Sequence, residues 1–169
     1  MKYLGLILIL FLTLKGYSCS CPPQNKFHDQ RVIEYEGADI ILIGDVTLNS
    51  KDKNLHEIKI LEIFKGEHLI KCEFLEGINS KYCYPTINEN GKWLIYGRIE
   101  EGFFKLNDCG LSRSFKRPHE NSYFHIIESM MKFKNPKINM KMVQEKVVEI
   151  SKQELTIEVG ILRDLKKCP

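Results

Sequence analysis

Five short segments of alternating or unbroken apolar character follow one another between residues 38 and 106, with no helical pattern between them. This spacing constrains the fold more than any other feature of the chain. The run ADIILIGDVTL (38–48) is nearly continuous in branched apolar residues, as a strand covered on both faces should be. Gly44 inside it marks a bend or bulge of the kind a barrel corner needs. After a polar turn at 49–54, residues 56–64 read as a second strand. Ile58 and Ile60 share one face there, and Leu61 and Ile63 take the opposite parity, so a bulge is expected between them. Lys65-Gly66-Glu67 turns the chain into a third strand, 68–75, with Ile70, Cys72 and Phe74 on one face. A loop holding Gly77, Asn79, Cys83 and Pro85 leads through Asn88-Glu89-Asn90-Gly91 to KWLIYGRI (92–99). Glu100-Glu101-Gly102 then makes a hairpin into FFKLNDCG (103–110). The pattern predicts a mainly β chain whose strands close into a small antiparallel barrel.

Beyond the barrel the periodicity changes. Asn121 or Ser122 is placed to cap a helix in which Tyr123, Ile126, Ile127, Met130 and Met131 recur at helical spacing, and Asn135-Pro136 ends it. Its apolar stripe is expected to pack on the barrel. In the remaining tail Met140, Val143, Val147 and Ile150 keep helical spacing, whereas Leu155, Ile157, Val159 and Ile161 alternate as a strand would. Both readings of the tail stay open, α or β.

The first eighteen residues read as an export signal. Lys2 is followed by an apolar run over residues 4–14, and Gly16 and Ser18 put small side chains just ahead of a cut before Cys19. The apolar run is about half the length that spans a bilayer, so no membrane span is expected. Residues 19–114 then form the barrel domain and 115–169 a helical extension packed on it. A cysteine directly after the cut also begins bacterial lipoproteins. The mature protein is therefore expected to be secreted, extracellular or periplasmic, and lipid-anchored if Cys19 is a lipoprotein cysteine. Gly16 and Tyr17 fit the lipoprotein pattern less well than simple cleavage.

Charge removes one class of partner. The chain carries 25 Lys and Arg against 22 Asp and Glu, and losing Lys2 and Lys15 with the signal leaves 23 against 22. That balance, in an exported chain, gives no electrostatic case for a nucleic-acid surface, so no nucleic-acid partner is expected. With 43% hydrophobic residues the chain has enough apolar material for one core.

All six cysteines (Cys19, Cys21, Cys72, Cys83, Cys109 and Cys168) lie at or after the cut, and in an oxidising compartment an even set reads as a disulfide framework. Cys72 has two readings: a buried, reduced thiol sharing a strand face with Ile70 and Phe74, or a bridge to Cys168. The first is favoured, because a side chain inside a small barrel does not easily reach a terminal residue. Catalytic templates are absent: there is no Gly-x-Ser-x-Gly, no His-Glu-x-x-His and no phosphate-binding glycine loop, and His28, His56, His68, His119 and His125 are scattered. The chain reads as no enzyme, with no cofactor and no metal of its own.

Cleavage before Cys19 creates a different kind of chemistry. A free α-amine has a pKa near 8, so a useful fraction is neutral at physiological pH and carries a lone pair. The Cys19 carbonyl oxygen on the same residue lets the two atoms close a five-membered chelate around a metal. Disulfides from Cys19 and Cys21, with Pro22 and Pro23 stiffening the exit, would hold that group rigid before binding. Such an amine suits the open coordination position of a zinc ion in another protein's active site.

These residues resemble the tissue inhibitors of metalloproteinases, whose N-terminal domain is a netrin-like OB-fold Greek-key barrel of five strands. The opening Cys19-Ser20-Cys21-Pro22-Pro23 looks like that family's mature start, and HEIKILEIFKG (56–66) is similar to its second strand with the closing Lys65-Gly66. Asn79-Ser80-Lys81-Tyr82-Cys83, KWLIYGRI and Glu101-Gly102 ahead of Cys109 follow the same order. The resemblance implies bridges Cys19–Cys83 and Cys21–Cys109, and chelation of a target's zinc by the Cys19 amine and carbonyl. It also implies a monomeric inhibitor whose partner, a zinc metalloprotease, supplies the metal. Ser20 would enter the target's specificity pocket, and Cys21, Pro22, Pro23, Asn79, Ser80, Lys81 and Tyr82 would complete the contact ridge. The chain departs from the family in lacking its third barrel disulfide and its cysteine-rich second subdomain. A second reading therefore stands beside the first: a netrin-like binding or structural module without inhibitory activity, lipid-anchored on a cell envelope in one form.

Overall fold

The apolar run that opens the barrel forms β1 (Ile40–Leu48), and its alternate residues face two different cores. Ile40, Leu42 and Val46 point into the barrel, where they meet Ile58, Trp93, Ile95 and Phe104. Ile41 and Ile43 point outward beneath a covering helix, with Leu94 and Tyr96 beside them. Both faces are dry, which is why the segment shows almost no polar alternation. The structure is a computed structural model that describes residues 27–81, 83–120, 131 and 139–167.

The strands close into a five-stranded OB-fold-like barrel. β1 pairs antiparallel with β2 (Leu55–Lys65), which pairs antiparallel with β3 (Phe74–Ile78). On its other edge β1 pairs with β4 (Gly91–Glu100), which turns back into β5 (Phe103–Leu106). Closure comes from a parallel contact of β3 with β5, carried by Gly77 opposite Phe104. The expectation of antiparallel pairing throughout is corrected at this seam: β3 and β5 run the same way because the long 79–90 loop and β4 intervene. A sixth, two-residue strand, β6 (Arg113–Ser114), extends the sheet beyond β4.

Local signals behave as their chemistry dictates. The register of β1 and β2 skips Leu61 and Phe64, so the expected bulge at Leu61 is present and a second follows it. Gly44 lies opposite the first of these bulges, with the Ile58 side chain filling the space a Cβ would need. Glu101 (φ 55°) and Gly102 (φ 84°) give the β4–β5 hairpin the two left-handed residues of a tight turn. The third strand is displaced from its expected 68–75. A 3-10 turn occupies Glu67–Leu69, and the strand runs Phe74–Ile78. Its inward positions are Leu75 and Gly77, and a glycine there leaves no apolar alternation to read. Cys72 consequently sits in the exposed approach to β3. It is a free thiol, as expected, but its burial is corrected: it is exposed, with Sγ 2.8 Å from the Phe74 carbonyl.

Two of the described helices flank the barrel. α1 (Phe27–Gly37) precedes β1, and α2 (Met140–Lys167) is a single 28-residue helix, which settles the tail as α. Asn139 caps α2 through its Oδ1 on the Lys141 N–H, at 3.0 Å. Val143, Val147, Ser151, Leu155, Val159 and Leu162 form one buried stripe, and the last three apolar ones complete the outer core over β1 and β4. Ile157 and Ile161, the residues that imitate a strand, are exposed. No described helix is long and apolar enough to cross a membrane. The helix expected from Ser122 lies outside the described residues, except for Met131, which is helical.

Candidate functional site

Two loops meet at one edge of the barrel and bring the cysteines of interest together. Residues 79–90 join β3 to β4, and residues 107–112 join β5 to β6. The first loop is pinned by Asn79. Its amide donates to the Ile87 carbonyl at 2.9 Å and accepts from the Ile87 N–H at 2.8 Å, while its backbone N–H reaches the Asn54 carbonyl at 2.8 Å. Ser80 Oγ accepts from the Cys83 N–H at 3.3 Å. The second loop is held to β4, where the Asn107 N–H and the Ser112 hydroxyl both donate to the Tyr96 carbonyl, at 3.0 and 3.2 Å. Between the loops the Cys109 N–H donates to the Tyr84 carbonyl at 2.5 Å. Cys109 is therefore seated beside the residue that follows Cys83, and it takes a left-handed conformation (φ 59°). Both Cys83 and Cys109 are disulfide-bonded.

The sequence-derived site divides accordingly. Asn79, Ser80, Cys83 and Cys109 are brought together at this edge, with Asn79 and Ser80 half-buried and bonded within the loop, and Lys81 is exposed on it. Cys19, Ser20, Cys21, Pro22, Pro23 and Tyr82 lie outside the described residues, as does Cys168. Tyr84, which no sequence argument singled out, is 60% exposed next to Cys83.

Charged residues behind this edge were not legible in the sequence. Glu34 of α1 is 5% exposed, and its carboxylate lies against Gly110 within 3.5 Å of the Asn107 amide nitrogen. Burial pushes its carboxyl up to about 7; hydrogen bonding from the Leu111 backbone and Asn107 opposes that push, and the nearby Glu158 adds to it. Glu34 thus links α1 to the loop that carries Cys109. Deeper in, Glu158 of α2 accepts from the Tyr96 hydroxyl on Oε1 and from Arg113 Nη2 on Oε2, both at 2.5 Å. Arg113 also donates to the Leu111 carbonyl at 2.9 Å, and Arg31 of α1 approaches Glu158 to 3.7 Å while pairing with Glu154. Burial, with the Glu158 carboxylate adding to it, raises the Tyr96 hydroxyl far above its ordinary range, so it stays a donor. This network fixes α2 on the barrel and the 107–112 loop beneath it.

Among the described residues no cluster of three or more His, Cys, Asp or Glu side chains has the arrangement to hold a metal ion. No family model matches the chain, and no curated protein matches its sequence.

Proposed function

We propose that this chain is an exported inhibitor of zinc metalloproteases that resembles the tissue inhibitors of metalloproteinases and acts through the free amine and carbonyl of Cys19. The observation that carries the reading is the juxtaposition of Cys83 and Cys109, both disulfide-bonded and joined through the Cys109–Tyr84 backbone hydrogen bond. Two cysteines separated by one residue sit at most about 7 Å apart, and a disulfide spans roughly 4.4–6.8 Å between α-carbons. The two acceptor cysteines of a Cys19-Ser20-Cys21 segment must then lie within about 20 Å of one another, and Cys83 and Cys109, joined through the neighbouring Tyr84 carbonyl, are compatible with that. Bridges Cys19–Cys83 and Cys21–Cys109 would anchor the new N-terminus on a surface stiffened by Asn79, Glu34 and the Glu158 network. An amine so anchored pays little ordering entropy when it meets a metal.

The mechanism asks for no chemistry from the inhibitor beyond ligation. The Cys19 amine and carbonyl oxygen would replace the water on the target's zinc, and Ser20 would point into the adjoining specificity pocket. The test is a panel of zinc endopeptidases assayed with the processed protein, its Nα-acetylated form and Ser20→Gly, all with disulfides intact. Inhibition without cleavage of the chain is expected. Acetylation should abolish most of it by removing the lone pair, and Ser20→Gly should weaken it unevenly across targets, by about 1–3 kcal/mol where the pocket is small. Inhibition that survives acetylation would exclude chelation, and none across the panel would move the chain to the non-inhibitory envelope module.

A further inference from the structure

The cysteine edge carries a device that does not depend on the inhibitory reading, built where α1 meets the loop between β5 and β6. Glu34 of α1 is buried, and its carboxyl group fills the space beside Gly110, the residue after Cys109. A Cβ at 110 would come within 2.5 and 2.9 Å of the two Glu34 oxygens and 2.8 Å of the Asn107 carbonyl oxygen. Three oxygens thus share one small space. The Asn107 side chain is buried as well, with Nδ2 3.5 Å from Glu34 Oε2 and with no hydrogen bond at Oδ1.

Such surroundings select a neutral acid. A carboxylate only accepts, whereas a protonated carboxyl also has one O–H to donate. Glu34 has donors in the Leu111 backbone and the Asn107 amide, but the carboxylate that acts on it, Glu158 of α2, has the same sign. The other charged or titratable neighbours answer to α2. Tyr96 of β4 and Arg113 of β6 both donate to Glu158, and Arg31 of α1 pairs with Glu154 and approaches Glu158. A buried acceptor left without a donor, next to a buried carboxyl, is satisfied by one proton placed between them.

We propose that Glu34 and Asn107 form a proton-operated latch on the cysteine edge. The neutral acid donates its O–H to Asn107 Oδ1 and accepts from Asn107 Nδ2, which clasps α1 to the loop that carries Cys109. When that proton leaves to solvent, two acceptors face one another and a charge is left buried near Glu158, so the loop opens more readily and water enters. The edge is then tight on the acid side of the Glu34 titration and loose on the alkaline side.

The experiment is amide hydrogen exchange of the full mature protein, followed by NMR across the Glu34 titration and corrected for the intrinsic effect of pH. Protection of the Cys109, Gly110 and Leu111 amides should be full below pH 4.5. It should fall by ~10-fold per pH unit as pH rises toward about 7, and level off above that. Amides of α2 at Leu155 and Val159 should not follow this profile. Glu34→Gln offers an N–H to Asn107 Oδ1 at every pH, so its loop should stay protected across the range. The Asn107 carboxamide carbon should shift with the same midpoint as the Glu34 carboxyl carbon, a readout that needs no variant. Loop protection that does not change with pH, the wild-type profile retained in Glu34→Gln, or Asn107 signals that do not follow the Glu34 titration would overturn the proposal.

Discussion

The barrel buries ionisable side chains in two places, and it treats them oppositely. Beneath α2, Glu158 and Arg113 are 1% and 2% exposed, and Glu158 accepts at both oxygens. At the mouth, His56 is nearly as deeply buried, yet neither ring nitrogen completes a hydrogen bond. The seam below it rests on the single pair Gly77–Phe104. In the first region the buried carboxylate has donors at both oxygens, whereas in the second the buried ring has a hydrogen bond at neither nitrogen. Equal burial therefore says little about stability until partners are counted.

The largest expected effect breaks the satisfied side. Glu158→Ala should cost about 3–5 kcal/mol, because it removes the carboxylate that accepts from the buried Arg113 guanidinium and from the Tyr96 hydroxyl. Replacing Glu158 and Arg113 together by Met should recover much of that loss. Urea denaturation of the three proteins measures it, and a double variant as unstable as the single one would show that packing, not the stranded charge, sets the cost.

The next effects come from pH, and here the two regions pull in opposite directions. Glu34 has a folded pKa of about 7, above its ordinary 4.5, so its contribution is fully present below pH 4.5 and lost as pH rises through 7. His56 has a folded pKa of about 4, below its ordinary 6.5, so its contribution is present above pH 6.5 and lost as pH falls through 4. Each shift corresponds to about 3 kcal/mol at full extent, and between pH 4.5 and 6.5 they largely cancel. Glu34→Gln should gain stability over the wild type above pH 7 and expose a steep loss below 6.5. His56→Leu should remove that acid limb and leave a protein that stabilises on acidification from 7 to 4.5. Chemical denaturation at half-unit pH intervals checks both; a pH profile unchanged in either variant would remove that residue from the comparison.

How much of this was legible in the sequence follows from where each signal resides. The unbroken β1 run, the parity change at Leu61 and the Glu101-Gly102 hairpin are local, and they read correctly. β3 was displaced because one of its inward residues, Gly77, has no side chain to mark a face. The tail was ambiguous because Ile157 and Ile161 add exposed apolar residues beside the true stripe of Val143, Val147, Leu155, Val159 and Leu162. α1 was missed because its deeply buried side chain is Glu34, while Val32 and Ile33 are exposed, so its hydrophobic pattern is inverted. Glu34, Arg113 and Glu158 could not be found at all, since their burial exists only once α1, β6 and α2 pack together. Of the proposed ridge, Asn79, Ser80 and Lys81 were named from the sequence and sit on the loop that carries Cys83, while residues 19–23 and Tyr82 lie outside the described residues.

The smallest expected effect lies on neither side of the comparison. Cys72→Ser should change stability by less than about 0.5 kcal/mol, because the thiol is exposed and its one contact is the Phe74 carbonyl. In the native wild type a thiol reagent should label Cys72 at once, with no need for unfolding. Slow labelling would place the sulfur inside the barrel after all.

The reading of the cysteine edge rests on how the mature chain begins and which sulfurs it joins. Intact mass of the protein purified from the cells and medium of its host, followed by a non-reducing peptide map, tests both in one preparation. The account predicts a chain starting at Cys19 with an unmodified amine, a Cys19–Cys83 peptide and a Cys21–Cys109 peptide. An acylated Cys19, or a Cys19 peptide joined to any cysteine other than Cys83, would contradict it.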